Sequence, residues 1–250
     1  SAFRPECAVL LNVEEDHLDR HGDVAAYREA KLRIFANQGP GDHALDPTAT
    51  AAETSVTGGV LSVRGEPLLA LDEIRLRGAH ILENARAAAL AARATGVPAE
   101  AVALALRKFA GVAHRLEEVA TVDGVLYVND SKATNVASAV KGIEAFEGGV
   151  HAILGGSLKG GGFAGLRDAV EARCRACHLI GEAQERLAAD LAGAAPLLRA
   201  GGLEEAVARA SEAALPGEVV LLSPACASYD AFRDYEERGE HFRALVRGLE

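Results

Sequence analysis

Seven consecutive residues, Asn129 to Asn135 (NDSKATN), carry one carboxylate, one ammonium, two hydroxyls and two amides. They follow a short apolar run, Val125 to Val128, that is typical of a buried strand, and they precede a helical pattern. The carboxyl ends of strands are where α/β proteins bind ligands. A turn that caps a helix needs only one or two such side chains. The segment is therefore either a ligand-binding loop or a capped turn, and its residue types leave both interpretations open.

Composition limits the classes of function. A chain of 250 residues usually exceeds one core, so we expect two domains, and 49% apolar residues are ordinary for a globular protein. The net charge of −10 and the scattered Lys and Arg residues argue against nucleic acid as a partner. Because no apolar run is long enough to span a bilayer and the amino terminus lacks a signal pattern, we expect no membrane association and a cytoplasmic location.

Four cysteines are too few and too scattered for a disulfide framework. Cys174, Cys177 and His178 match the C-x-x-C-H pattern of haem attachment and the C-x-x-C of redox or zinc sites. The chain has no methionine to serve as a distal haem ligand, and zinc would need a second ligand pair. We therefore expect reduced thiols that pack where a helix meets a strand.

The second half of the chain alternates between strand and helix patterns. Strands are predicted at 125–128, 151–154, 177–180 and 219–222, and helices at 136–145, 163–173, 183–191, 203–213 and in the last stretch to 250. This alternation predicts a parallel, doubly wound α/β sheet. Residues 111–114, which precede this alternating region, are predicted to be a linker.

The first half is less regular. It predicts a buried strand at 8–13 and a helix at 24–36 with Asp23 as N-cap. A small antiparallel sheet is predicted at 59–63 and 68–76, followed by helices at 81–95 and 98–108. Lys31 lies on the apolar face of the helix at 24–36. An inward-facing lysine must either extend to water or lose its charge.

Seven segments, taken in order, resemble the Mur ligases of bacterial cell-wall synthesis. They are AVLLNVEEDHLDRHG (8–22), YREAKLRIF (27–35), GAHILEN (78–84), AHRLE (113–117), NDSKATN (129–135), ILGGSLKGGGF (153–163) and LLSPACASYDAFRDYEERGEHF (221–242). NDSKATN and SPACAS are similar to the branch of the family that adds D-glutamate. The resemblance implies that residues 1–112 form the rear part of a P-loop-type central ATPase domain. It implies a Rossmann-like, D-glutamate-binding C-terminal domain at 113–250.

The family's phosphate-binding loop, G-x-x-x-x-G-K-[ST], is absent from the sequence, and so is every methionine. We therefore expect either an incomplete chain, without the N-terminal domain and the P-loop, or a sequence from which residues such as methionines are missing. An incomplete ATPase sheet would expose strand edges, so we expect the fragment to be inactive and to aggregate on its own.

The resemblance implies ATP-dependent amide bond formation in peptidoglycan precursor synthesis. The terminal carboxylate of UDP-N-acetylmuramoyl-L-alanine would become an acyl phosphate, which the amine of D-glutamate attacks, in an enzyme that is a monomer when intact. Two alternatives are a non-catalytic module that binds nucleotide and amino acid, and a sibling ligase that adds a different amino acid.

The resemblance also implies roles for residues. The catalytic set would be Asp16, His17 and Lys31, and two Mg²⁺ ions would be held by His17 and by Lys31 in its carbamylated form. ATP would contact Asn84, His114, Arg115 and Asp130. The amino-acid substrate would contact Lys132, Thr134, Lys159, Ser228 and Tyr235. The sequence departs from the family at Ile81, where Asn is usual near the nucleotide, and at Tyr235, where Phe is common.

Overall fold

A computed structural model describes residues 2–13, 22–74, 79–158 and 160–249, without the side chains of 79–81. The chain divides into two compact units, Ser1–Ala110 and Gly111–Glu250. Among the described helices, none is both long enough and apolar enough to cross a membrane.

The first unit contains two small sheets. Strand β1 (Cys7–Val9) pairs in parallel with β2 (His43–Leu45), and β3 (Thr54–Thr57), β4 (Val60–Val63) and β5 (Glu66–Ala70) form an antiparallel meander. This confirms the predicted antiparallel sheet, although the sheet has three strands and the sequence pattern indicated two. The strand predicted at 8–13 is shorter than expected, because the chain leaves the pairing after Val9 and Leu11 is exposed.

Among the described residues of the first unit, four α-helices accompany these sheets: α1 (Val24–Leu32), α2 (Pro47–Glu53), α3 (Ala79–Ala94) and α4 (Ala99–Lys108). Leu61 of β4 and Leu90 of α3 are fully buried in its core. Asp23 caps α1 as predicted, and its side chain accepts a hydrogen bond from the Ala26 N–H at 2.7 Å.

Lys31 does not face an apolar interior. Helix α1 contains no buried residue, and Lys31 is exposed, with its ammonium 5.1 Å from the centre of the Tyr27 ring. Of the two alternatives for this lysine, the structure therefore shows extension to water. The helical pattern identified a shared face, but the unit does not bury that face.

The second unit is a six-stranded sheet with helices on both faces, which confirms the doubly wound α/β class. Its strands lie in the order β10-β9-β8-β11-β7-β6, where β6 is Glu117–Val122, β7 Val125–Asn129, β8 Val150–Gly155, β9 Cys174–Ile180, β10 Leu197–Arg199 and β11 Val219–Leu222. The helices are α5 (Val136–Glu144), α6 (Arg167–Arg173), α7 (Gln184–Asp190), α8 (Leu203–Ala213) and α9 (Tyr235–Arg247).

Each face of this sheet has its own core. Helices α5, α6 and α7 pack on one face, around residues such as Ile143 and Leu154, while α8 and α9 pack on the other, around Val207 and Phe242. Strands β7 to β11 run parallel, but the edge strand β6 is antiparallel to β7. The sheet is thus mixed, where the sequence predicted a parallel one.

The thiols behave as predicted. All four cysteines are thiols; Cys174 begins β9 directly after α6, and Cys177 is buried in the same strand. A hydrogen bond with Cys174, together with burial, raises the pKa of the Cys177 thiol. Cys177 is therefore held as an uncharged thiol in the core.

Candidate functional site

Three loops meet at one edge of the second unit's sheet. Strands β7, β11 and β8 are adjacent and parallel, and end at Asn129, Leu222 and Gly155, so the loops that follow them emerge side by side. The Ala225 N–H donates to the Ala133 carbonyl at 2.9 Å, and the Ser157 N–H donates to the Ala227 carbonyl at 2.9 Å. These bonds hold the loops 129–135, 155–158 and 223–228 in one arrangement.

The NDSKATN segment contains both a helix cap and a polar network. The Asn135 side chain caps α5 by accepting from the Ser138 N–H at 2.8 Å. Asn129 is fully buried, and its Oδ1 accepts from the Ser131 N–H at 3.2 Å. The Asn129 amide also lies 3.0 Å from Nδ1 of His114. Asn135 alone meets the needs of a capped turn, so the other polar residues need a separate explanation.

Asp130 is held almost out of contact with water. Its carboxylate accepts from the Leu116 N–H at 3.2 Å and from the Ser223 hydroxyl at 2.8 Å. Burial raises the pKa of Asp130 to about 7, although those two hydrogen bonds and the nearby charge of Arg115 act against the increase. The carboxyl group is therefore close to half ionised at neutral pH.

Arg115 projects from a strained turn. His114 and Leu116 on either side of it are non-glycine residues with positive φ, 63° and 44°, a conformation that is costly for side chains with a Cβ. The His114 ring is buried, whereas Arg115 is exposed. Backbone strain of this kind concentrates at functional sites.

Lys132 and Tyr235 form a cation–π pair. The Lys132 ammonium lies 3.6 Å from the centre of the Tyr235 ring, and the His114 and Tyr235 rings form a T-shaped pair with 6.0 Å between their centres. Lys132 and Thr134 are both half-buried. An aromatic face below an ammonium restricts the directions from which an anion can reach it.

Ser228 has a buried hydroxyl with no hydrogen-bond partner among the described residues, and the side chain is 1% exposed. An unsatisfied buried polar group costs about 1–3 kcal/mol. A hydroxyl left in this state at the carboxyl end of β11 is well suited to bond to a ligand.

The structure brings three of the predicted residues, His114, Lys132 and Tyr235, into mutual contact. It places Asp130 near the charge of Arg115, and it places Thr134 and Ser228 in the loops at the same sheet edge. Asp16, His17 and Lys159 lie outside the described residues. Asn84 is exposed on α3, and with Lys31 it belongs to the first unit. Within the described residues, no group of three or more His, Cys, Asp or Glu side chains could hold a metal ion.

The sequence interpretation missed Arg238. It is fully buried in α9, one turn before the buried Phe242 and two before Val246. This i, i+4, i+8 spacing was a usable signal, because it places an arginine in the apolar stripe of an amphipathic helix.

Glu117 and Gly239 were missed as well. A Glu117 carboxylate oxygen accepts from the His114 N–H at 3.0 Å and from the Asn129 amide at 3.2 Å. A Cβ at Gly239 would lie 2.1 Å from Nδ1 of His114, so the helix backbone packs directly against the ring. Nothing in the residue types alone indicated that either position supports His114.

The second unit is a doubly wound α/β domain with polar loops at the carboxyl ends of its strands, the edge at which such domains bind ligands. Two family models match the chain: the Mur ligase middle domain at residues 1–51 and the Mur ligase glutamate ligase domain at 114–226. Together they cover more than half of the chain, and the curated relatives described below match it almost from end to end. The chain belongs to the Mur ligase family.

Curated relatives that match nearly the whole chain carry the same protein name. A UDP-N-acetylmuramoylalanine–D-glutamate ligase of Acidobacterium capsulatum is 46% identical over 98% of this chain and 59% of its own length. The protein of the same name from Pelotomaculum thermopropionicum is 42% identical over 100% of this chain and 61% of its own length. The chain thus spans about three fifths of each of these relatives.

Solved structures show the same fold at low identity. The UDP-N-acetylmuramate-alanine ligase MurC of Thermotoga maritima gives a TM-score of 0.66 at 15% identity, with 99% of this chain and 61% of that chain covered. E. coli FolC in complex with DHPP and ADP gives a TM-score of 0.67 at 18% identity, with 98% of this chain and 62% of that chain covered.

Proposed function

We propose that this chain supplies the amino-acid-binding part, and a portion of the nucleotide-binding part, of a ligase that joins D-glutamate to UDP-N-acetylmuramoyl-L-alanine in peptidoglycan precursor synthesis. The observation that carries the proposal is that one sheet edge holds both the Lys132 ammonium and the Ser228 hydroxyl, which has no hydrogen-bond partner among the described residues. The names of the relatives specify the substrates.

D-Glutamate has two carboxylates and one amine. Lys132 and Lys159 supply positive charge for the carboxylates, and Thr134 and Ser228 supply hydroxyl donors. Tyr235 holds the Lys132 side chain in place from below. The amine is left free to attack the acyl phosphate: a C–N bond forms, the C–O bond to phosphate breaks, and the nitrogen loses a proton.

On the nucleotide side, Asn84, His114, Arg115 and Asp130 are the proposed contacts for ATP, which supplies the phosphoryl group. Arg115 is exposed and cationic, which suits phosphate oxygens. Asp130 suits ribose hydroxyls, because each could donate to its carboxylate. Such chemistry depends mainly on positioning and charge neutralisation.

Magnesium is the proposed cation of the reaction, with two ions held by His17 and a carbamylated Lys31 and with Asp16 nearby. A carbamate would turn Lys31 into an anionic oxygen ligand of the kind that magnesium prefers. Because Lys31 is exposed, carbon dioxide could reach its amine. We also propose that the complete protein is a cytoplasmic monomer.

The test uses the complete gene product with ATP and UDP-N-acetylmuramoyl-L-alanine, and measures phosphate release across a panel of amino acids. We expect release with D-glutamate and at least a tenfold loss of kcat/KM for Lys132→Met, since removal of a charge-assisted bond costs about 1.5–3 kcal/mol. Lys108→Met, an exposed lysine of α4, is the matched control.

Other outcomes would identify the alternatives. Higher activity with L-lysine or diaminopimelate would make the protein a sibling ligase. Binding of ATP and D-glutamate without any phosphate release would make it a non-catalytic module.

A further inference from the structure

Arg238 connects two of the three loops at the sheet edge. It is the fourth residue of α9 and is 1% exposed. Its Nε donates to the Ser131 hydroxyl at 2.9 Å, and Nη2 donates to the Ser131 carbonyl at 2.8 Å. Nη2 also donates to the Cys226 carbonyl at 3.1 Å, and Nη1 donates to the Ala227 carbonyl at 3.2 Å. A single planar guanidinium therefore holds the NDSKATN loop and the SPACAS loop together.

Stability alone does not explain this residue. All four acceptors are neutral, and in the described part of the chain no carboxylate accepts a hydrogen bond from Arg238. The charge of Asp230 is near enough to favour the cation, but no carboxylate is hydrogen-bonded to it in the described residues. Burial of a cation without such a bond is unfavourable, and so is positive charge in the first turn of a helix. Burial lowers the pKa of Arg238 to about 10, so the side chain stays charged at neutral pH.

The bonds of Arg238 end next to the residues that would bind D-glutamate. Ser131 immediately precedes Lys132, and Ala227 immediately precedes Ser228. The Ser131 hydroxyl also donates to the Tyr235 carbonyl at 2.8 Å. Arg238 thus fixes the main chain from which Lys132, Ser228 and Tyr235 project.

We infer that Arg238 is a positioning residue for amino-acid binding, which sets the separation of Lys132 and Ser228 by holding the backbone carbonyls of the two loops. The inference rests on the proposed function. Arg238 is buried and does not itself contact the substrate. Lysine cannot replace it, because one ammonium cannot reproduce the planar, divergent donors of a guanidinium.

The test is steady-state kinetics of the complete gene product, with Arg238→Lys compared to wild type. We expect KM for D-glutamate to rise about tenfold, the factor that corresponds to loss of one charge-assisted hydrogen bond, and KM for ATP to change less than about twofold. Arg199→Lys is the matched control, because Arg199 is the exposed last residue of β10 and pairs with Glu185.

A purely structural role would give a different pattern. Unfolded molecules contribute to neither KM, so a lower melting temperature with both KM values unchanged would overturn the inference. An equal rise of both KM values would also overturn it, because that would indicate general disorder of the site.

Ser131→Ala is a milder second variant, in case Arg238→Lys does not fold. It removes the hydroxyl that links Nε of Arg238 to the Tyr235 carbonyl, and we expect a smaller rise, about threefold, in KM for D-glutamate alone. An unchanged KM in Ser131→Ala would refute the inference. Wild type that forms no product with D-glutamate would refute the proposed function instead.

Discussion

Asp130 is retained at a cost to stability, and this cost can be measured by the substitution Asp130→Asn. The variant keeps the oxygen that accepts from the Leu116 N–H, and its amide can donate to the Ser223 hydroxyl, which is able to reverse its role. It removes only the ionisation. A Cβ on Gly142 of α5 would lie 2.6 Å from Oδ2 of Asp130, so the helix backbone packs closely against the carboxyl group.

The magnitude follows from the pKa. An unfolded Asp has a pKa of 3.8 and the folded carboxyl has one of about 7, so ionisation of Asp130 costs the folded state up to about 4 kcal/mol above pH 7. Because the folded pKa is the higher one, the full stability is present below pH 3.8 and is lost as pH rises through about 7. We therefore expect Asp130→Asn to be more stable than wild type at pH 8, by a margin that shrinks by about 1.4 kcal/mol per pH unit below pH 7.

The assay is urea unfolding of the complete gene product, followed by circular dichroism between pH 5 and pH 8.5. Asp190→Asn is the control with the opposite sign, because the Phe163 N–H and Arg186 lower the pKa of Asp190 and its ionised form is the stable one. If Asp130→Asn were no more stable than wild type at pH 8, or if its advantage did not shrink toward pH 5, the carboxylate would not be held at a cost. The same variant should raise KM for ATP if Asp130 binds ribose.

Three further predictions concern single positions. His178 is fully buried with neither ring nitrogen bonded among the described residues, and burial lowers its pKa from 6.5 to about 4. Wild type should therefore lose about 3 kcal/mol of unfolding free energy as pH falls from 6.5 to 4, because only the unfolded state takes up the proton. His178→Leu should remove this loss, which urea unfolding at the two pH values can show. Gly239→Ala should displace the His114 ring and raise KM for ATP at least tenfold, because its Cβ would lie 2.1 Å from Nδ1; unchanged ATP kinetics would contradict this contact. Tyr235→Phe should leave KM for D-glutamate within about twofold, while Tyr235→Leu should raise it several-fold, since only the aromatic face below Lys132 is required.

The sequence predicted those elements whose signal is local. Strand β11 and helix α8 match their predicted bounds, because an unbroken apolar run and a clear helical stripe each identify one structure. Strand β6 was missed, since Glu117 and Glu118 begin it and its side chains are only partly buried at the sheet edge. Its antiparallel direction is set by the tight turn into β7, where Asp123 and Gly124 have positive φ.

The candidate site was only partly predictable for a related reason. The residue types of Lys132 and Ser228 indicate binding chemistry, but Arg238 holds their loops through backbone carbonyls, which every residue has. Arg238 lies more than a hundred residues from Ser131 in the chain, and only the fold brings them together. The inward orientation expected for Lys31 was wrong because a helical stripe shows which residues share a face and not whether anything covers it.

The two interpretations of NDSKATN prove to be compatible. Asn129, Asp130, Ser131 and Asn135 use their side chains on protein partners: a histidine, a serine, a buried arginine and a helix N-terminus. Lys132 and Thr134 are half-buried, and neither side chain is used to cap α5 or to hold the loop through Arg238. The polar density of the loop therefore arises because one short segment both anchors itself and presents ligand-binding groups. A loop that must hold a cation and a hydroxyl in fixed positions needs rigid neighbours, and here those neighbours are adjacent in the sequence.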